Sequence, residues 1–293
     1  MPFQGVYTAI VTPFTASEAI DWAAFEQLVE KQIAAGVAGI VPVGTTGESP
    51  TLSTEEHDQV VAQVTRWVNG RCQVIAGTGS NCTRSAIRTT RQAEKAGVDA
   101  CLLVNPYYNK PTQEGLFLHF KALAESVEIP VILYNIKGRT AVNLETPTLL
   151  RLIEACPNIK GVKEASGDLP QICEVIQSVP PGFAVLSGDD NLTLEIVEAG
   201  GHGSISVASN LLPEAVVALV KAALAGDLEG AHAQDEALRP LYVAQMLETN
   251  PIPIKAALAM KGWITEQYRL PLCPMSTAHR DSLQQTLQAM GCI

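Results

Sequence analysis

The chain has 293 residues, nearly half of them apolar, and a formal net charge of −10 with acids and bases interspersed. That length allows one large domain or two small ones, with a sizeable core. The acidic balance argues against nucleic acid and anionic membrane as partners, and no apolar run is long enough to span a bilayer.

The opening stretch, Met1-Pro2-Phe3-Gln4-Gly5, lacks the basic and apolar regions of a secretory leader. Seven scattered cysteines form no C-x-x-C pair. They suit a reduced, cytoplasmic protein better than a zinc site or a disulfide framework, and most are expected to be small core residues. His57, His119, His202, His232 and His279 are isolated, so no metal is expected and no cofactor is called for. His57, on a helix face, reads as structural.

Short apolar runs recur at Val6–Val11, Gly39–Val43, Val74–Gly77, Ala100–Val104, Val131–Tyr134, Ile159–Lys163, Ala184–Ser187 and Ser204–Val207. Runs apolar on both faces read as strands of a buried parallel sheet. Helical patterns lie between them: Ala23–Ala35, Ser53 through Trp67 with a capping-box start, Thr83–Ala96, Gln113–Val127, Thr146–Ala155, Leu169–Val179, Leu192–Ala199 and Pro213–Ala225. Eight strand–helix alternations predict an α/β fold of the (β/α)8 TIM-barrel type, with a doubly wound open sheet as the alternative. The barrel is expected over residues 1–225. Residues 226–293 carry helical patterns without a strand and read as an appended C-terminal helical segment.

In such a barrel the chemistry stands at the C-terminal ends of the strands. Lys163 closes the sixth run. A buried lysine is uncommon, and burial disfavours its ammonium form, which is what an imine-forming amine needs. The alternative is a lysine that reaches solvent or pairs with Glu164. Tyr134 ends the fifth run, one strand away, and a phenol near an amine can move protons. Gly44-Thr45-Thr46-Gly47-Glu48 follows the second run as a turn whose amides can bind an anion, or as a plain turn before a capped helix. Gly77-Thr78-Gly79-Ser80-Asn81 is another tight turn. Tyr107 and Tyr108 sit on a Pro-bounded loop and either pack on a partner or line the site. Arg139 offers a fork for a carboxylate. Of Asp189 and Asp190 after the seventh run, Asp190 is read as the cap of the helix beginning near Leu192 rather than as a metal ligand. The eighth strand supplies wall and backbone. An amine, a phenol, hydroxyls, an anion nest and an arginine together suit imine chemistry on a 2-keto acid.

Thr8-Ala9-Ile10-Val11-Thr12-Pro13-Phe14, Gly44-Thr45-Thr46-Gly47-Glu48, Tyr107-Tyr108-Asn109, Tyr134-Asn135, Gly161-Val162-Lys163-Glu164 and Ser187-Gly188-Asp189-Asp190 stand in an order that resembles the pyruvate-dependent class I aldolases, the family of dihydrodipicolinate synthases and N-acetylneuraminate lyases. Thr45-Thr46, Arg139-Thr140 and Asn250-Pro251-Ile252-Pro253-Ile254-Lys255 resemble the synthase branch. The resemblance implies a Schiff-base lyase of lysine and diaminopimelate biosynthesis that condenses pyruvate with L-aspartate 4-semialdehyde. It implies Lys163 as the imine-forming amine and Tyr134 as proton donor and acceptor. Thr45 would relay protons between Tyr134 and Tyr108, with Tyr108 reaching in from a neighbouring subunit. Thr46 and Ile205 would hold pyruvate, Arg139 would bind the carboxylate of the semialdehyde, and Gly188 and Asp189 would lie near that substrate. A tight homodimer, paired into a homotetramer, is implied.

The chain departs from the family pattern in two places. Lys137 stands where proline is common, which is expected to loosen the loop of Arg139. Ser49, His57, Asn81 and Tyr107 match a regulatory L-lysine site, but Ser85 and Thr54 replace its usual glutamate and histidine, so weak or absent inhibition by lysine is expected. The alternatives are another aldolase of the same family acting on a sialic acid or a sugar-derived keto acid, a non-catalytic barrel that binds a carboxylate metabolite, and a phosphate-binding barrel. The last is disfavoured because Asp189 and Asp190 would repel phosphate.

Overall fold

A computed structural model describes residues 3–293; Met1 and Pro2, part of the stretch read for a leader, lie outside the described residues. Eight parallel strands close into a barrel, each hydrogen-bonded to the next and the first to the last. In chain order the elements are β1 (Gly5–Ala9), α1 (Trp22–Ala34), β2 (Gly39–Val41), α2 (Thr54–Val68), β3 (Gln73–Gly77), α3 (Thr83–Lys95), β4 (Ala100–Val104), α4 (Gln113–Ala124) and β5 (Val131–Asn135). There follow α5 (Lys137–Thr140), α6 (Thr146–Ala155), β6 (Ile159–Glu164), α7 (Leu169–Ser178), β7 (Ala184–Ser187), α8 (Thr193–Glu198), β8 (Gly203–Ser206) and α9 (Pro213–Ala225). The TIM barrel and not the open sheet is therefore the fold. Three more helices, α10 (Leu228–Gln245), α11 (Ile252–Met260) and α12 (Thr277–Ala289), complete the chain.

Side chains alternate across each strand, so every strand feeds two cores. Inward-facing Tyr7, Val41, Ile75, Leu102, Ile132, Leu186 and Ile205 fill the barrel, with Phe3 packed among them. Outward-facing Val6, Ile40, Val74, Leu103, Leu133, Val162 and Val185 form the larger core beneath the helices. This double burial is why the strands read as continuous apolar runs and not as alternating ones.

Local signals set the helix ends. Ser53 caps α2, its hydroxyl accepting from the Glu56 amide while the Glu56 carboxylate accepts from the Ser53 amide. Asp21, Thr112 and Asp168 cap α1, α4 and α7, each side chain accepting from the amide three residues on. Helix α4 stops at Ala124, three residues short of the predicted Val127, because a tight turn places the Ser126 amide on the Leu123 carbonyl.

Four expectations are corrected. Asp190 does not cap its own helix: Oδ2 accepts from the amides of Val207 and Ala208, tying the end of β7 to the turn after β8. Lys137 does not leave a loose loop, for Lys137–Thr140 forms a helical turn closed by the Ala141 amide on the Lys137 carbonyl. Only Cys101 and Cys156 of the seven free cysteines are buried, while Cys82 and Cys273 are exposed. Glu164 does not pair with Lys163, since neighbours on one strand face opposite sides of the sheet. It lies outside the barrel, accepting from Asn135 Nδ2 at 3.2 Å and from Ser166 Oγ at 2.9 Å.

No helix among the described residues is long and apolar enough to cross a membrane.

Candidate active site

Lys163 and Tyr134 are register partners on adjacent strands, β6 and β5. Both point into the barrel, and Lys163 Nζ lies 4.3 Å from the centre of the Tyr134 ring. Burial lowers the Lys163 amine to about 8, with Asp189 and Asp190 opposing the shift. Burial pushes the Tyr134 phenol well above its ordinary value, an effect that Arg139 and the Thr45 hydroxyl reduce. The site thus holds an amine that gives up its proton more readily than an ordinary lysine, beside a protonated phenol.

The strands are braced from behind. Asn135 Oδ1 accepts from Asn105 Nδ2 and from the Leu144 amide, each at 2.9 Å, and its amide nitrogen donates to Glu164. Burial pushes Glu164 up to about 7. Strands β4, β5 and β6 are cross-linked on the side opposite the catalytic pair, which limits movement of Tyr134 against Lys163.

The turn after β2 supplies the anion nest. The amides of Gly47, Glu48 and Ser49 are spent within the turn. Those of Thr45 and Thr46 make no hydrogen bond to any described residue. Two non-glycine residues bracket the turn in the left-handed region, Val43 at φ 50° and Glu48 at φ 54°. Such conformations cost about 1–3 kcal/mol each and persist only where surroundings impose them.

Glu48 shows what imposes one of them. Its side chain, fully buried, is ion-paired with Lys255 of α11, itself fully buried, and Oε2 accepts from the Arg269 amide at 3.3 Å. Lys255 Nζ also lies 4.3 Å from the ring centre of Phe14. Burial lowers the Lys255 amine, and the carboxylate of Glu48 counters that. The tail thereby grips the turn of Thr45 and Thr46. Sequence reasoning missed this pair, although a lysine inside the apolar run Ile252–Leu258 was a signal for it.

One cavity of about 170 Å³ at the C-terminal rim gathers Lys163, Tyr134, Thr45, Thr46, Arg139, Gly188 and Asp189. Gly188 is required by close approach: a Cβ there would stand 2.7 Å from Lys163 Cε and 3.1 Å from the Glu164 carbonyl. Arg139 reaches the cavity from α5, its Nη2 donating to the Asn250 carbonyl at 3.1 Å. Asn250, which no sequence argument had singled out for the site, lines the cavity as well. Ile205 lies in the barrel interior and does not line the cavity; Val207 does.

Tyr108 is outside the cavity. It is 89% exposed, on a left-handed backbone at φ 75°, so no relay from Thr45 to Tyr108 forms within one chain. A second cavity, next to the first and sharing Thr45, Ser49 and Arg139 with it, is lined by His57 and Tyr107. His57 Nε2 lies 2.9 Å from the Gly77 carbonyl, so this histidine also braces the turn after β3. Asn81 lines neither cavity; its carbonyl accepts from Asn109 Nδ2. No group of three or more His, Cys, Asp or Glu side chains among the described residues could hold a metal.

Comparison with known proteins places this chain in a family. The family described as the dihydrodipicolinate synthetase family matches residues 2–290. The 4-hydroxy-tetrahydrodipicolinate synthase of Methanocaldococcus jannaschii is 51% identical over 291 residues, covering 99% of this chain and all of the relative. The structure of the 4-hydroxy-tetrahydrodipicolinate synthase from Methylacidiphilum fumariolicum SolV is 48% identical, with a TM-score of 0.97 over 99% of this chain and 96% of that one. A monomeric dihydrodipicolinate synthase variant is 41% identical, with a TM-score of 0.97 over 100% of this chain and 98% of that one. The chain belongs to the dihydrodipicolinate synthetase family.

Proposed function

We propose that this protein condenses pyruvate with L-aspartate 4-semialdehyde to give 4-hydroxy-tetrahydrodipicolinate, as a lyase of lysine and diaminopimelate biosynthesis. The observation that carries the reading is the buried Lys163 amine, lowered to about 8 and set against Tyr134 in a cavity whose wall includes the unpaired amides of Thr45 and Thr46.

Lys163 Nζ attacks the keto carbon of pyruvate, whose carboxylate sits on the turn of Thr45 and Thr46. Loss of water leaves an iminium on Lys163. Tyr134, a neutral phenol at rest, supplies protons to the departing oxygen, and as phenolate takes one from the methyl carbon, which leaves an enamine. The enamine carbon attacks the aldehyde of the second substrate, whose carboxylate is held by Arg139, with Gly188 and Asp189 alongside. The amine of that substrate then adds to the iminium carbon, the ring closes, and Lys163 departs as free amine. Thr46 and Ile205, the latter on β8 two residues before the cavity-lining Val207, hold pyruvate.

The proton relay is completed by a second copy of the chain. Tyr108 is held in a strained conformation with its ring in solvent, a cost without return in the isolated chain. A partner's Thr45 as its acceptor accounts for the position. The assembly is a homodimer, in pairs a homotetramer, working in the cytoplasm. The cavity of Ser49, His57 and Tyr107 is the counterpart of a lysine site, with Ser85 leaving it without a carboxylate for the lysine amine and Thr54 without the usual histidine, so inhibition by L-lysine is weak or absent. Residues 226–293 form a segment that serves the barrel of residues 1–225 by gripping the turn after β2.

The test is turnover of pyruvate with L-aspartate 4-semialdehyde, coupled to reduction of the cyclic product, with Lys163→Ala as control. Turnover that disappears in the control supports the reading. A wild-type protein that turns nothing over, while borohydride still traps pyruvate on it, moves the activity to another aldehyde.

A further inference from the structure

The stretch Asn250-Pro251-Ile252-Pro253-Ile254-Lys255 is the motif for which the mechanism above finds no part beyond the grip of Lys255 on Glu48. Its first residue faces the cavity. Asn250 Nδ2 donates to Thr46 Oγ1 at 3.0 Å. The amide oxygen of the same side chain is buried without a partner, so Thr46 is the one hydrogen-bonding contact of that side chain among the described residues. The main-chain carbonyl of Asn250 accepts from Arg139 Nη2 at 3.1 Å. One residue of the tail therefore touches the anion turn with its side chain and the cavity's guanidinium with its backbone.

The chemistry of a hydroxyl gives this contact a consequence. A threonine has one O–H to donate and lone pairs to accept with. When Thr46 accepts from Asn250, its own proton is free to point into the cavity. Without the amide donor the hydroxyl can rotate and spend that proton elsewhere. Thr46 is almost fully buried, so water is a poor substitute for the missing donor.

We infer that Asn250 is a positioning residue for the keto-acid substrate: its side-chain amide orients the Thr46 hydroxyl toward the pyruvate carboxylate, while its backbone carbonyl separately anchors Arg139. The inference rests on the proposed function and adds a division of labour to it. Side-chain changes at Asn250 act on pyruvate and leave the aldehyde alone.

The experiment is a double-mutant cycle on Asn250→Ala and Thr46→Val, read by the pyruvate concentration that half-saturates borohydride trapping and by the KM of each substrate. Asn250→Ala should raise the pyruvate concentration needed about tenfold and leave the KM of the semialdehyde within about twofold, because the backbone carbonyl is kept. In a Thr46→Val background the same change should do almost nothing, since the group through which it acts has gone. Asn250→Asp, which replaces the donor by an acceptor and adds a negative charge, should be worse for pyruvate than Asn250→Ala. An equal effect of Asn250→Ala in both backgrounds, or an equal rise in both KM values, overturns the inference and makes Asn250 merely structural. A wild-type protein that traps no pyruvate would instead overturn the proposed function, and this inference with it.

Discussion

A lysine that must act as a nucleophile has to lose its proton at working pH, and Lys163 is placed so that it can. Its burial lowers the amine to about 8, from an ordinary value of 10.5. The sign of the pH dependence follows. Below pH 8 the free enzyme carries the ammonium form, which cannot attack a carbonyl. Log kcat/KM for pyruvate should therefore rise about one unit per pH unit up to pH 8 and level off above it. A profile already flat between pH 6 and 8 would contradict a Lys163 value of about 8. Tyr134 does not blur this limb, because burial holds its phenol protonated across the same range. The nature of Lys163 as an amine at a strand end was legible from its place in an apolar run. Its direction was not, for a lysine reaching solvent or pairing with Glu164 stayed open until the structure placed Lys163 over the Tyr134 ring inside the barrel.

Among the elements, the turn after β2 is the one that depends most on others. Its nest of amides exists only while Val43 and Glu48 stay in left-handed conformations. The Glu48–Lys255 pair brings a residue of α11 across the rim to hold it. Breaking such a buried pair on one side leaves an uncompensated charge, whereas removing both charges does not. Lys255→Met alone should destabilise the fold by about 3–5 kcal/mol, read from the urea midpoint, and the double variant Glu48→Gln with Lys255→Met should recover much of that loss. A double variant no more stable than the single one would mean that the charge pair is not what the site depends on. The element read least well from sequence was α5. Lys137 in place of a proline argued for a loosened loop, but four residues from Lys137 to Thr140 close a helical turn, and Thr140 Oγ1 stitches it to the carbonyls of Ile136 and Val142. The bond from Arg139 Nη2 to the carbonyl of Asn250, 111 residues further along the chain, is not written in the local pattern.

At the scale of the molecule, the site is built from strand ends that are far apart in sequence, and the proposed relay adds Tyr108 from a second copy. Tyr108 cannot serve its own Thr45 from its exposed, strained position. If the neighbouring copy supplies it, Tyr108→Phe should lower turnover on the order of tenfold while pyruvate is still trapped on Lys163. Co-expressed with Lys163→Ala, it should yield hybrid dimers in which one intact site reassembles, and activity should exceed that of either variant alone. Absence of restoration in such hybrids would place Tyr108 outside a shared relay.

The eight strand–helix alternations were legible in the sequence, and the family resemblance named Lys163, Tyr134, Thr45, Thr46, Arg139, Gly188 and Asp189, whereas closure into a barrel against the open sheet, and the gathering of those residues in one cavity, came from the tertiary structure. Hydrophobic period and Gly, Pro and capping signals are local, and barrel topology then sends every strand end to the same face. Tertiary structure alone decided the partners of the charged and polar groups. Asp190 caps a turn on another strand, Lys255 neutralises Glu48 from 207 residues away, and Asn250 meets Thr46. A buried polar group is satisfied by whichever complement the packing brings within about 3 Å, and that distance in space has no counterpart in spacing along the chain.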